Sequence, residues 1–243
     1  MDDRDYHLVL PDQMMFAPFA ERLATQPGYK ILDNGVAEGN LVGNMYLLDC
    51  TRANKLDEIV IPDSLGNLMK TVTLARAFMT YLDQPGLQGA RTAFNYMGVA
   101  QGNSYRQVHE CIRQFGRLGV NTIGLPRHLC TTIGREARYR IIQEWRTNPS
   151  LGRAVGTVFH LLGTNPAYIF ELRDYGKTFR QMDVRGVDTS APFTYAMAGE
   201  RLCAGERVCR PENYLNMPAE MVTDRLEELV ASNIQTLEEW ITR

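Results

Sequence analysis

The sequence has no long hydrophobic run. No stretch approaches the ~20 apolar residues that a membrane-spanning helix needs. It also has no excess of either charge. Its 26 Lys and Arg nearly balance 28 Asp and Glu, for a net charge of −2. No global basic field therefore marks a nucleic-acid binder, although a local basic patch stays open. Neither G-x-x-x-x-G-K-[ST] nor G-x-G-x-x-G occurs, which removes the two common phosphate-cradling loops. Histidine is scarce, with four residues at 7, 109, 128 and 160, and no H-x-H or H-E-x-x-H pair for a hydrolytic metal centre. The five cysteines at 50, 111, 130, 203 and 209 are odd in number and dispersed. That set fits a reducing cytoplasm rather than a disulfide framework. Cys203 and Cys209 stand too far apart for a zinc knuckle. The start "MDDRDYHLVL" is acidic and lacks a signal-peptide n-region. No low-complexity segment and no fixed-period repeat is present. Neither metal nor cofactor is expected.

What is present is alternation. Seven short apolar runs read as strands: 6–10, 29–33, 57–61, 92–99, 120–125, 157–162 and 184–188. They are rich in Val, Ile, Leu and aromatics without strict alternation, the pattern of parallel strands covered by helices. Helical spacing links Leu65, Leu68, Met69, Val72, Ala75, Phe78, Met79 and Leu82. Ser104 and Gln107 form a capping box ahead of Tyr105, Val108, Ile112 and Phe115. Asn165–Pro166 predicts a helix start and Gly176 its stop. A last helix is expected over about 218–241, after an irregular segment at 200–217. This is an α/β chain of βα units with right-handed crossovers. A doubly wound open sheet and a (β/α)8 TIM-like barrel compete, and the length favours the barrel. The expected organisation is one catalytic barrel domain over 1–243, its eighth strand poorly marked and sought in 206–217.

Both architectures put chemistry at the carboxyl ends of strands. Those ends carry Asp12, Asp33 and Glu38, Asp63, Gln101, Arg127 and His128, His160, and Asp188. Singly, such residues are ordinary turn formers and helix caps. His109, inside a helix, and His160, inside an apolar strand, read as ordinary filler and core residues. As a set, aspartates converging on one rim repel each other, an arrangement kept mainly for metal binding or acid/base work. Without a metal pattern, two carboxylates suit retaining glycosyl transfer: one attacks an anomeric carbon and the other handles a proton.

Five segments, in order, resemble the tRNA-guanine transglycosylase superfamily. They are "LDNGVAEG" (32–39), "GVAQGNS" (98–104), "TIGLP" (122–126), "HLLG" (160–163) and "VDTSAPFTYA" (187–196). The compact phage and bacterial branch that inserts 7-deazaguanine bases into DNA is the most similar. The resemblance implies Asp188 as nucleophile and Asp33 as general acid/base. It implies Asp63 and Gln101, with Gly124 and Leu125, as readers of the purine. A second strand-seven register would put a non-catalytic aspartate at Asp188 and Ala191 at the nucleophile position; the archaeal-type register matches "SA" and "YA" together. The aromatic that stacks on the base after strand two is replaced by Val36 or Ala37, leaving Phe193 or Tyr195 for that task. The Cys-x-Cys-x-x-Cys…His zinc site of the bacterial tRNA enzymes has no counterpart, and neither do the archaeal RNA-binding domains. DNA is therefore the expected partner, with tRNA as the alternative, a 7-deazaguanine as co-substrate and a helper protein as an open question. An inactive nucleic-acid-binding accessory subunit, and a barrel hydrolase of a small glycoside or amide, are the competing readings. Arg127, His128 and Arg185 are expected to hold phosphates, with Arg135 and Arg180 nearby. A monomer in the cytoplasm, or in the host cytoplasm of a virus, is expected.

Overall fold

The computed structural model describes residues 6–39, 42–87, 89–120, 122–148, 151, 157–163, 170–182, 184–203 and 223–242. Seven strands are described: β1 (Tyr6–Val9), β2 (Tyr29–Leu32), β3 (Glu58–Val60), β4 (Asn95–Val99), β5 (Thr122–Pro126), β6 (Val158–Leu162) and β7 (Val184–Val187). Each pairs in parallel with the next, in chain order. That order, without a reversal point, is the winding of a TIM-like barrel rather than of a doubly wound sheet. The sheet is nearly closed and helices flank it. The eighth-strand candidate at 206–217 lies outside the described residues, as does the helix start at Asn165–Pro166.

The helices follow from their sequence signals. Asn67 caps helix Leu68–Leu82, its side chain accepting from the Lys70 N–H at 3.0 Å. Ser104 caps helix Tyr105–Arg117 by accepting from the Gln107 N–H. The Gln107 side chain reaches back to the N–H of Asn103, one residue short of a full capping box. Gly176 does not stop its helix, which runs from Phe170 through Gln181. A mid-helix glycine costs only about 1 kcal/mol, and burial of Leu172 and Phe179 holds this helix in place. The last helix, Asp224–Thr242, packs on helices Phe170–Gln181 and Ala191–Met197.

Two apolar clusters divide the core. The larger fills the layer between sheet and helices, with Leu32, Ile59, Ile123, Phe159 and Leu161 on the strands. The smaller, Ile31, Val60, Met97 and Val99 with Tyr6, Leu8, Tyr29 and Leu162 against it, fills the barrel interior. Space is tight in both. In the interior a Cβ on Gly124 would stand 2.5 Å from the Leu162 side chain, and in the outer layer one on Gly98 would meet the Phe115 ring at 2.7 Å. These two motif glycines are thus fixed by packing. Among the described residues, no helix is long and apolar enough to cross a membrane.

Candidate active site

The carboxyl rim of the barrel holds most of the residues singled out above. Asp33, partly buried, follows β2, and its backbone N–H donates to Val9 O, extending the ladder one residue. Its Oδ1 accepts the Gly35 N–H at 3.2 Å. The turn-forming reading is thus realised in its geometry. Gly35 has φ 73°, which opens the left-handed turn that follows.

Asp63 and Gln101 come together. Asp63 follows β3 and is only 3% exposed, while Gln101 follows β4 and is fully buried. The Gln101 amide donates to Asp63 Oδ2 at 2.5 Å. Asn34 donates to Asp63 Oδ1 at 2.7 Å and to Ile61 O at 2.9 Å. The Gln101 carbonyl oxygen accepts the Gly66 N–H at 2.9 Å. Desolvation raises the Asp63 carboxyl above its ordinary range, and the two amides pull it back only in part. Asn34 was not singled out from the sequence; its place directly after Asp33 was the available signal.

Asp188 follows β7 and is partly buried. Its N–H donates to Leu161 O, and its Oδ1 accepts the Gly163 N–H at 2.9 Å. Gly163 has φ 65°, so the peptide that holds Asp188 needs glycine. Behind it, the buried Arg138 donates to the carbonyls of Leu125, Leu162 and Gly163, the last at 2.8 Å. Glu171, fully buried, neutralises Arg138 and accepts from the Cys130 thiol. The sequence reading missed Arg138 and Glu171, which lie on helices remote from any motif. In sheet order, Asp188 follows β7, one edge strand of the seven, and Asp33 follows β2, the strand next to the other edge.

The other expected residues divide. Gly124 and Leu125 lie inside the paired part of β5, opposite His160 and Leu161. Both are buried. Arg127 is exposed at the end of β5, its Cβ beside Gly163. His128 starts the next short helix partly buried, and burial followed by the Arg127 charge lowers its pKa. Arg185 is a correction: it does not reach the mouth. β7 has a register shift, with Phe159 opposite Val184 and His160 opposite Gly186, and Arg185 between them faces inward, next to the outward-facing Val184. Inside the barrel it pairs with Glu58 at 2.6 Å and lies over the rings of Tyr6 and Tyr29. Tyr195 is likewise unsuited to stacking on a base, since it is fully buried with its hydroxyl on Cys203 O. Phe193 stays partly exposed.

A surface groove of about 600 Å³ opens beside Gly66, lined also by Leu65, Asn67, Leu68, Met69, Asn103 and Gln107. None of the three aspartates lines it. Among the described residues, no three His, Cys, Asp or Glu side chains converge as a metal site would need. The described cysteines, at 50, 111, 130 and 203, are free thiols. The chain matches no model of a known protein family, and comparison with curated proteins finds no match.

Proposed function

We propose that this chain is a base-exchanging transglycosylase, a pentosyltransferase that replaces guanine in DNA with a 7-deazaguanine base. The observation that carries the reading is the rim itself. Asp33, Asp63, Gln101 and Asp188 follow the carboxyl ends of four strands of one barrel, the end where such barrels place chemistry. The resemblance of five ordered segments to the transglycosylase superfamily gives the rim its chemistry.

In this reading, an Asp188 carboxylate oxygen attacks C1′ of the target nucleotide. The C1′–N9 bond breaks, its electron pair leaves on guanine, and Asp33 supplies the proton the base takes up. A deoxyribosyl ester on Asp188 results. The incoming 7-deazaguanine gives its N9 proton to Asp33 and attacks C1′, and the Asp188 carboxylate departs. Two inversions give retention, and the proton count returns to its start. Asp63 offers a carboxylate to the purine N1–H and N2–H₂ donors. Each of its oxygens accepts one bond from a neighbouring amide and retains a second lone pair. A base reaches this buried pair by exchanging places with part of the Asn34–Gln101 network. A duplex substrate must first be flipped out of its stack, and the exposed Arg127 beside the Asp188 loop suits a flanking phosphate.

The test is exchange of labelled guanine, or of a labelled 7-deazaguanine, into duplex DNA and into bulk tRNA, with wild type and Asp188→Asn. Label entering DNA through the wild type alone is the expected result. Label entering tRNA keeps the chemistry and replaces the substrate. Label in neither removes the catalytic reading and leaves that of a binding subunit.

A further inference from the structure

His160 sits in the middle of β6, and its ring is 1% exposed. Its Nδ1 lies 3.3 Å from Arg185 Nε. A guanidinium has only donors, so Nδ1 must accept. The single proton of a neutral imidazole then belongs to Nε2. That atom faces Asp188 Oδ1 at 3.9 Å and has no hydrogen-bond partner among the described residues. The Gly163 N–H already reaches the same oxygen. The groups around the ring are the Arg185 cation, the Asp188 carboxylate and the edge-on Tyr6 ring at 5.9 Å, with Glu58 behind Arg185. Burial and the neighbouring Arg185 charge drive the imidazole pKa down to about 3, so the ring is neutral. A buried N–H without a partner is costly, and a movement of about 1 Å toward Asp188 would satisfy it.

We propose that His160 is a positioning residue for Asp188: Arg185 locks its proton on Nε2, and that N–H closes on Oδ1 to orient the carboxylate for attack at C1′. The inference rests on the reading of Asp188 as nucleophile. The same donor steadies the carboxylate as it leaves C1′ in the second half of the exchange.

Two measurements decide it. The first is ¹⁵N NMR of histidine-labelled protein. The His160 ring should show one protonated and one bare nitrogen from about pH 5 to pH 8, and Asp188→Asn should move the Nε2 signal more than the Nδ1 signal. An Nδ1–H tautomer, an imidazolium in that range, or an Nε2 signal indifferent to Asp188→Asn would overturn the proposal. The second is steady-state exchange with His160→Gln, which keeps an N–H near the Nε2 position, and His160→Leu, which does not. The Leu variant should lose about 10- to 100-fold in kcat, the range for a hydrogen bond to a charged group, with KM within about twofold. The Gln variant should stay within about fivefold of wild type. Equal losses in both, or a loss confined to KM, would contradict it. Absence of exchange by the wild type would defeat the functional reading alone, since the NMR measurement needs no turnover.

Discussion

Two polar clusters of the barrel, one inside its lumen and one on its rim, are built on opposite principles. In the lumen, Glu58 and Arg185 are opposite charges in contact at 2.6 Å, with Tyr6 and Tyr29 packed against the guanidinium. Asn95 donates to the Tyr29 hydroxyl at 2.7 Å. Charge is cancelled locally. On the rim, Asp63 is held by Asn34 and Gln101, and Asp188 by the Gly163 N–H. These partners are neutral donors, which fix a carboxylate without cancelling its charge. The contrast separates an ion pair from carboxylates held by neutral donors alone, of which burial pushes Asp63 toward its protonated form. His160 joins the two, with one ring nitrogen on Arg185 and the other facing Asp188.

The contrast can be broken first at the rim. Asp188→Asn should lower exchange by more than about 1,000-fold, because an amide cannot form and release the ester. Its thermal midpoint should stay close to that of the wild type. Unfolding with loss of activity would move Asp188 to the structural side of the comparison. In the lumen the order of effects should reverse. Glu58→Leu leaves a cation buried without its partner and should cost about 3–5 kcal/mol in urea unfolding. Adding Arg185→Met should restore much of that loss, since the pair is coupled. Strictly additive losses would show that the two residues do not act as a pair.

Gly163→Ala should have a smaller effect. A left-handed φ costs an alanine about 1–2 kcal/mol, and its new methyl group meets nothing closer than Arg127 Cβ at 3.7 Å. Activity should fall further than stability, because the same peptide orients Asp188. The smallest effect concerns pH. Burial raises the Asp63 carboxyl, so the folded protein holds that proton more tightly than the unfolded chain does. The resulting stability is full below the unfolded value, about pH 4, and is lost as pH rises through the raised folded value. The stability difference between wild type and Asp63→Ser, followed by urea unfolding from pH 4 to pH 7, should therefore shift against the wild type as pH rises. A flat difference would mean that Asp63 is not desolvated.

Much of the fold was readable from period and composition. All seven described strands fall on the expected apolar runs, although β4 begins at Asn95 because residues 90–93 form a short helix. The caps at Asn67 and Ser104 follow from side chains that compete locally for backbone donors. The barrel order needed the pairing itself, since apolar runs do not name their neighbours. The candidate site is read from residue types at strand ends. What was not legible depends on register. Arg185 follows the outward-facing Val184 and meets Glu58 of β3 inside the barrel, a pairing that "VRGVD" alone does not name. His160 read as ordinary core because its neighbours in the sequence are apolar, while its partners come from β7 and the loop after it. Arg138 and Glu171 lie on separate helices and meet only through the fold.

The most direct test of the account is to trap the ester. Wild type and Asp188→Asn would each be mixed with a guanine-containing DNA duplex, denatured in acid, and analysed by intact-protein and peptide mass spectrometry. The account predicts a covalent DNA adduct on the wild type, mapped to the peptide containing Asp188 and absent from the variant. An adduct mapped to another residue, or base exchange that proceeds undiminished in Asp188→Asn, would contradict it.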